Sequence, residues 1–358
     1  MIALRRTLCL ALISALLAGG ARAEMFVFPA PSGTASREIL VYSSLDERLA
    51  APLIAGFQAR NPDIAVRYED LLTGEIHARI TAETDAGLPT ADFAFSSAMD
   101  LQVKLVNDGY ALPVTAPETD DWPDWANWRN TAYAMTFEPA VFVYHKPDFL
   151  TAAPPATRAE FLAWMKTGGA LVQGRIGTYD IERSGVGYLF LARDQEHFPD
   201  IWSVVRAMGA AGVQQFPTSE DILVRISDGR LAMGYNILGS YAADWAREHP
   251  DVGLVLPRDY TVVASRIGLV PRAARSPDLG ARMLGFFLSR AGQTILAEEL
   301  RLPAVSLEVS ERNSARAMQD TLGGQLRPVP VSPGLLVYLD QAKRARLVAR
   351  WNAALAGQ

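Results

Sequence analysis

The stretch that organises the chain is Arg175-Ile-Gly-Thr-Tyr-Asp-Ile-Glu-Arg-Ser-Gly-Val-Gly-Tyr188. Its first five residues, up to Tyr179, have the pattern of a short buried strand. Ser184 then precedes small residues and an apolar run, which is the usual signal for the N-cap of a helix. The stretch therefore predicts a strand that turns through a polar loop into a helix.

The start of that predicted helix has the features of an anion site. The first turn of a helix leaves several N–H groups unpaired, and the helix dipole favours negative charge there. Gly185 and Gly187 have no side chains to keep a ligand from the backbone, and Arg183 adds a planar set of donors. The turn suits a phosphate or a carboxylate, although an ordinary capped strand-to-helix turn accounts for the same residues.

Residues 1–23 have the pattern of a secretory signal peptide. Two arginines precede an apolar core over residues 8–18, and Ala21-Arg22-Ala23 is a cleavage site of the A-x-A type. The core is too short to span a bilayer. We therefore expect cleavage before Glu24 and a mature protein in the periplasm, with an uncleaved anchor as the alternative.

The composition excludes several classes of protein. Removal of residues 1–23 takes away three of the 34 basic residues and none of the 39 acids, so the net charge falls from −5 to −8. A mildly acidic chain is a poor candidate for nucleic acid or an anionic membrane surface. The one cysteine, Cys9, lies in the removed segment, which leaves no disulfide or thiol chemistry. The remaining chain exceeds one ordinary domain and predicts two lobes.

From Arg37 onward, short apolar runs alternate with segments of helix length. This alternation predicts right-handed βαβ units around a mainly parallel sheet, and ligands of such sheets lie beyond the carboxyl ends of the strands. Hydroxyls or free N–H groups follow the predicted strands at Ser43-Ser44, Thr73-Gly74 and Ser96-Ser97. Plain helix capping explains each pair separately, but their place on one sheet edge favours a binding site.

Two long apolar segments, residues 132–144 and 261–270, predict strands that cross between the lobes. The first is interrupted at Glu138-Pro139, and a broken strand of this length suits a crossing. Glu138 would then face the cleft, either as a ligand contact or in a hinge salt bridge. The expected division is a loose arm over 24–36, a first lobe over 37–136 and 264–308, and a second lobe over 137–263 and 309–358.

Five segments in this order and spacing carry a resemblance: residues 41–44, 91–97, 137–144, 176–180 and 292–299. The chain resembles the periplasmic solute-binding proteins of ABC importers, in the cluster that holds ferric-ion binders and phosphosugar or phosphoglycerate binders. The resemblance implies the type II two-lobed α/β fold, with a mainly parallel sheet in each lobe and two crossing hinge strands. It also implies a cleft that closes on its ligand by a hinge motion.

The same resemblance sets the expected partners. The protein would be a monomer without a cofactor that delivers its solute to an ABC permease or presents it to a membrane sensor kinase. An enzyme is the rival class, but the chain has no G-x-S-x-G elbow, no HExxH motif, no P-loop and no catalytic cysteine.

The chain departs from the ferric-ion binders at their metal ligands. Those proteins use an adjacent tyrosine pair, which should fall near Leu238-Gly239, where only Tyr241 is close. The first-lobe ligand positions fall near Asp46 and Ser97, and the four histidines have no ligand spacing. A hard ferric ion needs several anionic oxygens, so iron is the alternative ligand and no metal site is predicted.

The remaining polar residues fit the binders of phosphorylated compounds. Arg183, Ser184 and Gly185 would take the phosphate, whereas Glu138, Tyr179 and Asp180 would accept hydrogen bonds from ligand hydroxyls. The full predicted site consists of Ser43, Ser44, Thr73, Ser96, Ser97, Glu138, Tyr179, Asp180, Arg183, Ser184, Gly185, Thr218, Asn236, Gly239 and Ser240. The sequence therefore predicts a binder of a small anionic, phosphorylated metabolite.

Overall fold

The computed structural model describes residues 24–120, 122–309 and 313–358. Within these ranges the chain forms two β-sheets, each flanked by helices, and the sheets are the centres of two lobes. The predicted two-lobed α/β fold is confirmed. Residues 1–23, on which the predicted signal peptide falls, lie outside the described residues.

The first lobe is built on the strands that come before residue 135, together with one strand from later in the chain. The spatial order of the sheet is β1-β3-β2-β4-β14-β7-β6, and β5 pairs with β14. The strands are β1 (Glu24–Phe28), β2 (Arg37–Ser43), β3 (Ile64–Asp70), β4 (Phe93–Ser96), β5 (Ala111–Leu112), β6 (Asn127–Trp128), β7 (Ala132–Ala134) and β14 (Ile267–Pro271). Its helices are α1 (Glu47–Arg60), α2 (Thr73–Asp85), α3 (Met99–Asn107), α9 (Pro277–Leu288) and α10 (Arg290–Glu298).

The second lobe has its own sheet, in the order β10-β9-β11-β8-β13-β15, with β12 paired to β8. Its strands are β8 (Glu138–His145), β9 (Ile176–Tyr179), β10 (Gln214–Phe216), β11 (Met233–Leu238), β12 (Val252–Val255), β13 (Thr261–Ala264) and β15 (Leu326–Pro328). The helices around it are α4 (Arg158–Thr167), α5 (Gly185–His197), α6 (Ile201–Ala210), α7 (Ser219–Ser227), α8 (Gly239–Glu248), α11 (Ala315–Leu322) and α12 (Gln341–Leu355).

Both sheets are mixed rather than mainly parallel. The strands of the βαβ units pair in parallel as predicted, β2 with β3 and β4, and β9 with β10 and β11. The strands that enter from the other lobe run the opposite way. β8 is antiparallel to β11, β12 and β13, and β14 is antiparallel to β4 and β7.

The predicted loose arm over residues 24–36 is wrong for its first five residues. These residues form β1, which pairs antiparallel with β3 at the sheet edge. Phe26 and Phe28 pack against the core, whereas Met25 and Val27 are 52% and 58% exposed. Alternation of buried and exposed side chains is the period of a strand, and the two phenylalanines supply the apolar face.

The two segments that were predicted to cross between the lobes lie side by side. The chain leaves the first sheet after β7 and enters the second at β8, and it returns from β13 to β14 through Ser265 and Arg266. β8 and β13 pair antiparallel, with Glu138 opposite Ala264. Each crossing segment is therefore two strands with a break between the sheets, while the exact bounds of the lobes stay a prediction.

The C-terminal segment joins both lobes. It pairs with the second sheet through β15, and the 3-10 turn Pro333–Leu339 packs against α3 of the first lobe. In the part of the chain that the structure describes, no helix is long and apolar enough to cross a membrane.

A buried ionic cluster holds α4, α5 and β11 together in the second lobe. Arg158 and Asp194 are both fully buried and lie 3.0 Å apart, N to O. Tyr235 and Tyr260 donate hydroxyl hydrogen bonds to Asp194 at 2.8 and 2.6 Å, and Asp259 pairs with Arg158 at 3.0 Å. The cluster satisfies its charges internally, and it fixes α5, the helix that Ser184 caps.

Asp194→Ala should strongly destabilise the fold. It leaves the Arg158 guanidinium with only the partly exposed Asp259 as an ion-pair partner among the described residues, and loss of one partner of a buried pair costs about 3–5 kcal/mol of unfolding free energy. Urea denaturation followed by tryptophan fluorescence measures this cost. Asp228→Ala is the control, since it breaks a surface pair with Arg230 and should leave the midpoint unchanged. Equal midpoints for the two variants would contradict a structural role for the cluster.

Candidate functional site

A cavity of about 280 Å³ lies between the two lobes. The first lobe contributes Thr73 and residues 97–100 to its lining, the second contributes residues 183–186, 188–189 and 217–218, and Tyr338 of the C-terminal segment completes it. The cavity brings together these residues of the predicted site: Thr73, Ser97, Arg183, Ser184, Gly185 and Thr218.

Helix N-termini converge on this cavity. Within the described chain, α2, α3, α5 and α7 each contribute a cap or first-turn residue to the lining. They follow β3, β4, β9 and β10, which pair in parallel with their neighbours β2, β9 or β11. Helices that follow parallel strands start at the carboxyl ends of those strands. The positive ends of the helix dipoles therefore face the cavity and favour an anionic ligand.

The N-terminus of α5 is open to a ligand. Ser184 caps the helix, because its Oγ accepts a hydrogen bond from the Gly187 amide at 3.2 Å. The amides of Gly185 and Val186 have no hydrogen-bond partner in the described part of the chain. A Cβ atom on Gly185 would meet nothing within 4 Å, so the backbone there can be approached closely.

Opposite charges line the cavity from opposite lobes. Arg183 is exposed, and its guanidinium has no ion-pair or hydrogen-bond partner among the described residues. Asp100, in the first turn of α3, is half-buried, and burial raises the pKa of its carboxyl. Asp100 and Arg183 are not paired with each other.

The serine residues at the strand ends divide into two groups. Ser43 and Ser96 are buried, and their hydroxyls accept hydrogen bonds from the amides of Leu45 and Ala98. They cap local turns and do not line the cavity. The Ser44 hydroxyl accepts from the Ser97 amide at 3.2 Å, so Ser44 supports a lining residue from behind.

Two residues of the predicted site, Tyr179 and Asp180, form hydrogen bonds inside the second lobe. The Tyr179 hydroxyl is 2.6 Å from Ser219 Oγ and accepts from the Leu238 amide at 3.1 Å. Burial raises the pKa of Tyr179 to about 12, so the group stays a neutral phenol. Asp180 accepts from the Glu182 amide at 3.0 Å and so shapes the loop before α5.

Asn236 and Gly239 also have structural roles. Asn236 lies in an irregular part of β11 with a φ of 56° and donates to Asp194 at 2.6 Å. Its side chain therefore belongs to the buried cluster. A Cβ on Gly239 would lie 2.8 Å from the Pro139 carbonyl oxygen, so this glycine permits close packing of α8 on β8.

Glu138 forms the hinge salt bridge rather than a ligand contact. It is 1% exposed, and its two oxygens accept from the hydroxyls of Thr136 and Ser240. Arg266 Nε lies 3.3 Å from Glu138 Oε1, outside hydrogen-bonding geometry. Glu138 and Ser240, both predicted to contact the ligand, are thus hydrogen-bonded to each other.

The structure places at or beside the cleft three residues that were not predicted from the sequence. Arg266 is a buried charge within the second crossing segment. A charged residue in an otherwise apolar run could have indicated its special role. Asp100 lies three residues after Ser97, in the first turn of α3. Tyr338 had no local signal, because only the path of the C-terminal segment brings it to α3 and α5.

Two glycines of α5 provide a matched test of its packing. A Cβ on Gly187 would lie 2.3 Å from Tyr179 Cβ, and such overpacking costs about 1–3 kcal/mol of unfolding free energy. Gly187→Ala should therefore lower the urea midpoint. Gly185→Ala makes the same change in open space and should leave the midpoint near that of the wild type. Equal destabilisation by both variants would show that α5 is placed differently.

Comparisons with known proteins agree with this architecture. The family model described as bacterial extracellular solute-binding protein matches residues 52–320. The crystal structure of the substrate binding protein of an ABC transporter from Agrobacterium tumefaciens is 67% identical, over 94% of this chain and 99% of that one, with a TM-score of 0.87. A comparison with curated proteins found no match.

More distant structures share the fold alone. The periplasmic binding protein AfuA from Actinobacillus pleuropneumoniae, with exogenous fructose-6-phosphate bound, is 15% identical, over 90% of this chain and 99% of that one, with a TM-score of 0.71. Iron-bound HitA from Pseudomonas aeruginosa is 15% identical, over 87% and 98%, with a TM-score of 0.64. This chain belongs to the bacterial extracellular solute-binding proteins, and it is the solute-binding component of an ABC transporter rather than an enzyme.

Proposed function

We propose that the protein binds a small anionic metabolite in the cavity between its lobes, and that a phosphorylated compound is the first candidate. It acts in the periplasm after removal of residues 1–23 and works as a monomer. Closure of the lobes over the solute then presents it to the permease of the transporter, or to a sensor kinase that takes the place of the permease.

The start of α5 is the observation that carries the proposal. The amides of Gly185 and Val186 and the guanidinium of Arg183 have no partner among the described residues, and all three residues line a cavity that other helix N-termini also reach. Charge-assisted hydrogen bonds contribute about 1.5–3 kcal/mol each. Three or four of them supply roughly 5–12 kcal/mol, which brackets the ~8 kcal/mol of micromolar binding.

Ferric ion is the second candidate, because an iron-bound protein shares the fold. The local chemistry favours it less. Tyr241 follows the expected position of the ligand pair in the sequence, and its hydroxyl accepts from Arg266 at 3.4 Å. Burial raises the pKa of Tyr241, which opposes the phenolate form that iron requires. The described residues contain no group of three or more His, Cys, Asp or Glu that could hold a metal.

Arg183→Ala should weaken binding of the anionic ligand by about tenfold or more, the loss of roughly one charge-assisted hydrogen bond. The ligand is first found by a thermal-shift screen of sugar phosphates, phosphoglycerates, inorganic phosphate, dicarboxylates and Fe(III). A ligand at 100 times its Kd adds about 2.7 kcal/mol of stability. Titration calorimetry on the best compound then gives the affinities.

Arg206→Ala is the matched control for this experiment. It removes another exposed arginine of the second lobe, on α6 and away from the cavity lining. The affinity of this variant for the ligand should therefore equal that of the wild type. The proposal fails if Arg183→Ala binds as tightly as Arg206→Ala. It fails equally if Fe(III) alone stabilises the protein.

A further inference from the structure

Asp100 is the acid among the described residues that line the cavity. Its Oδ1 accepts a hydrogen bond from the Leu101 amide at 2.9 Å. Neither of its carboxylate oxygens has an ion-pair partner in the part of the chain that the structure describes. Burial is the main cause of the raised pKa of this carboxyl, and the charge of Arg344 in α12 acts in the opposite direction by lowering that pKa.

The position of Asp100 conflicts with a ligand that is only an anion. Such a ligand would be bound by Arg183 and the α5 amides, with the carboxylate of Asp100 on the wall of the same small cavity. Lobe closure would then remove water from that carboxylate and bring it towards a like charge, and both effects disfavour the charged form. The conflict disappears if the ligand itself supplies a cation.

The charges that line the cavity lead to the same conclusion. Arg183 on the second lobe and Asp100 on the first are opposite in sign, and neither forms an ion pair with another described residue. A ligand with a negative and a positive end would neutralise both charges at once. It would also bridge the lobes, so that its own charge separation stabilises the closed form.

We propose that the ligand is a zwitterion, whose anionic end is held by Arg183 and the N-terminus of α5 and whose protonated amine pairs with Asp100. This inference rests on the proposed function, because it takes the same cavity and the same anion position. It narrows the ligand class to small phosphorylated or carboxylated amines. Compounds with a hydroxyl in place of the amine are excluded as the preferred ligands, because a hydroxyl makes a hydrogen bond to Asp100 without neutralising the charge of its carboxylate.

Matched probe compounds test the amine directly. Titration calorimetry compares 2-aminoethyl phosphate with ethyl phosphate and 2-hydroxyethyl phosphate, and 3-aminopropanoate with propanoate. In the wild-type protein, the amine compound of at least one series should bind about tenfold or more tightly than its amine-free partners, the worth of one charge-assisted pair. In Asp100→Asn this preference should fall to about twofold or less, with amine-free compounds bound as well as before or better.

Glu220→Gln is the matched control variant. It removes the same charge from the first turn of the neighbouring helix α7, at an exposed position outside the cavity lining. It should keep the wild-type preference for the amine. Urea denaturation of Asp100→Asn confirms that any change reflects binding rather than folding.

The outcomes separate this inference from the proposed function. If the probes bind with affinity that depends on Arg183 but without a preference for the amine, the anion site stands and the zwitterion is wrong. A 2-hydroxyethyl phosphate affinity equal to that of the amine, or a preference that survives in Asp100→Asn, also overturns the zwitterion. If the amine compound binds through Asp100 and Arg183→Ala has no effect, the anion site is wrong. Absence of binding by every probe rejects both.

Discussion

The buried pair of Glu138 and Arg266 at the crossing strands is the constraint on which the cleft depends. Arg266 is 1% exposed, and its guanidinium donates to the Ser44 carbonyl oxygen of the first lobe at 3.3 Å and to the Tyr241 hydroxyl of the second at 3.4 Å. Its backbone amide donates to Thr136 Oγ1 at 2.7 Å. Arg266 therefore joins both crossing segments and both lobes, at a buried position where an unpaired charge would be costly.

The cavity between the lobes follows from the topology. In each lobe, parallel strands end at the cleft and the next helices begin there, so the helix N-termini collect where the two sheets approach each other. The buried Arg158–Asp194 cluster then fixes α5 against β11. A hinge that leaves these lobes intact can bring two sets of backbone donors onto one solute. The same hinge would bring Asp100 and Arg183 to the two ends of that solute.

Local patterns predicted much of the fold and part of the site. Ser184 was expected to cap a helix, and its hydroxyl accepts a hydrogen bond from the amide three residues on. Such signals lie within a few residues of sequence, which is why they could be recognised. The strand alternation was equally local. The prediction was wrong at β1, where Phe26 and Phe28 pack at the edge of the first sheet. The strand with which β1 pairs is β3, which begins only at Ile64.

Long-range contacts decided the rest of the site. Glu138 was expected to contact ligand or to form a hinge salt bridge, and its partners Ser240 and Arg266 are more than 100 residues away in sequence. Asn236 turns into the lobe because of its left-handed backbone and the Asp194 carboxylate. Tyr338 reaches the cavity through the path of the C-terminal segment. No spacing within the chain encodes these contacts.

The most direct test of the account is a nuclear magnetic resonance titration of the protein labelled with ¹⁵N-glycine. The titrants are inorganic phosphate and 2-aminoethyl phosphate, and Gly185→Ala identifies the resonance of Gly185. The Gly185 amide should move downfield more than other glycine amides, because it becomes a donor to an oxyanion. A Gly185 amide that stays still, while glycines elsewhere shift or while Fe(III) alone perturbs the spectrum, would contradict it.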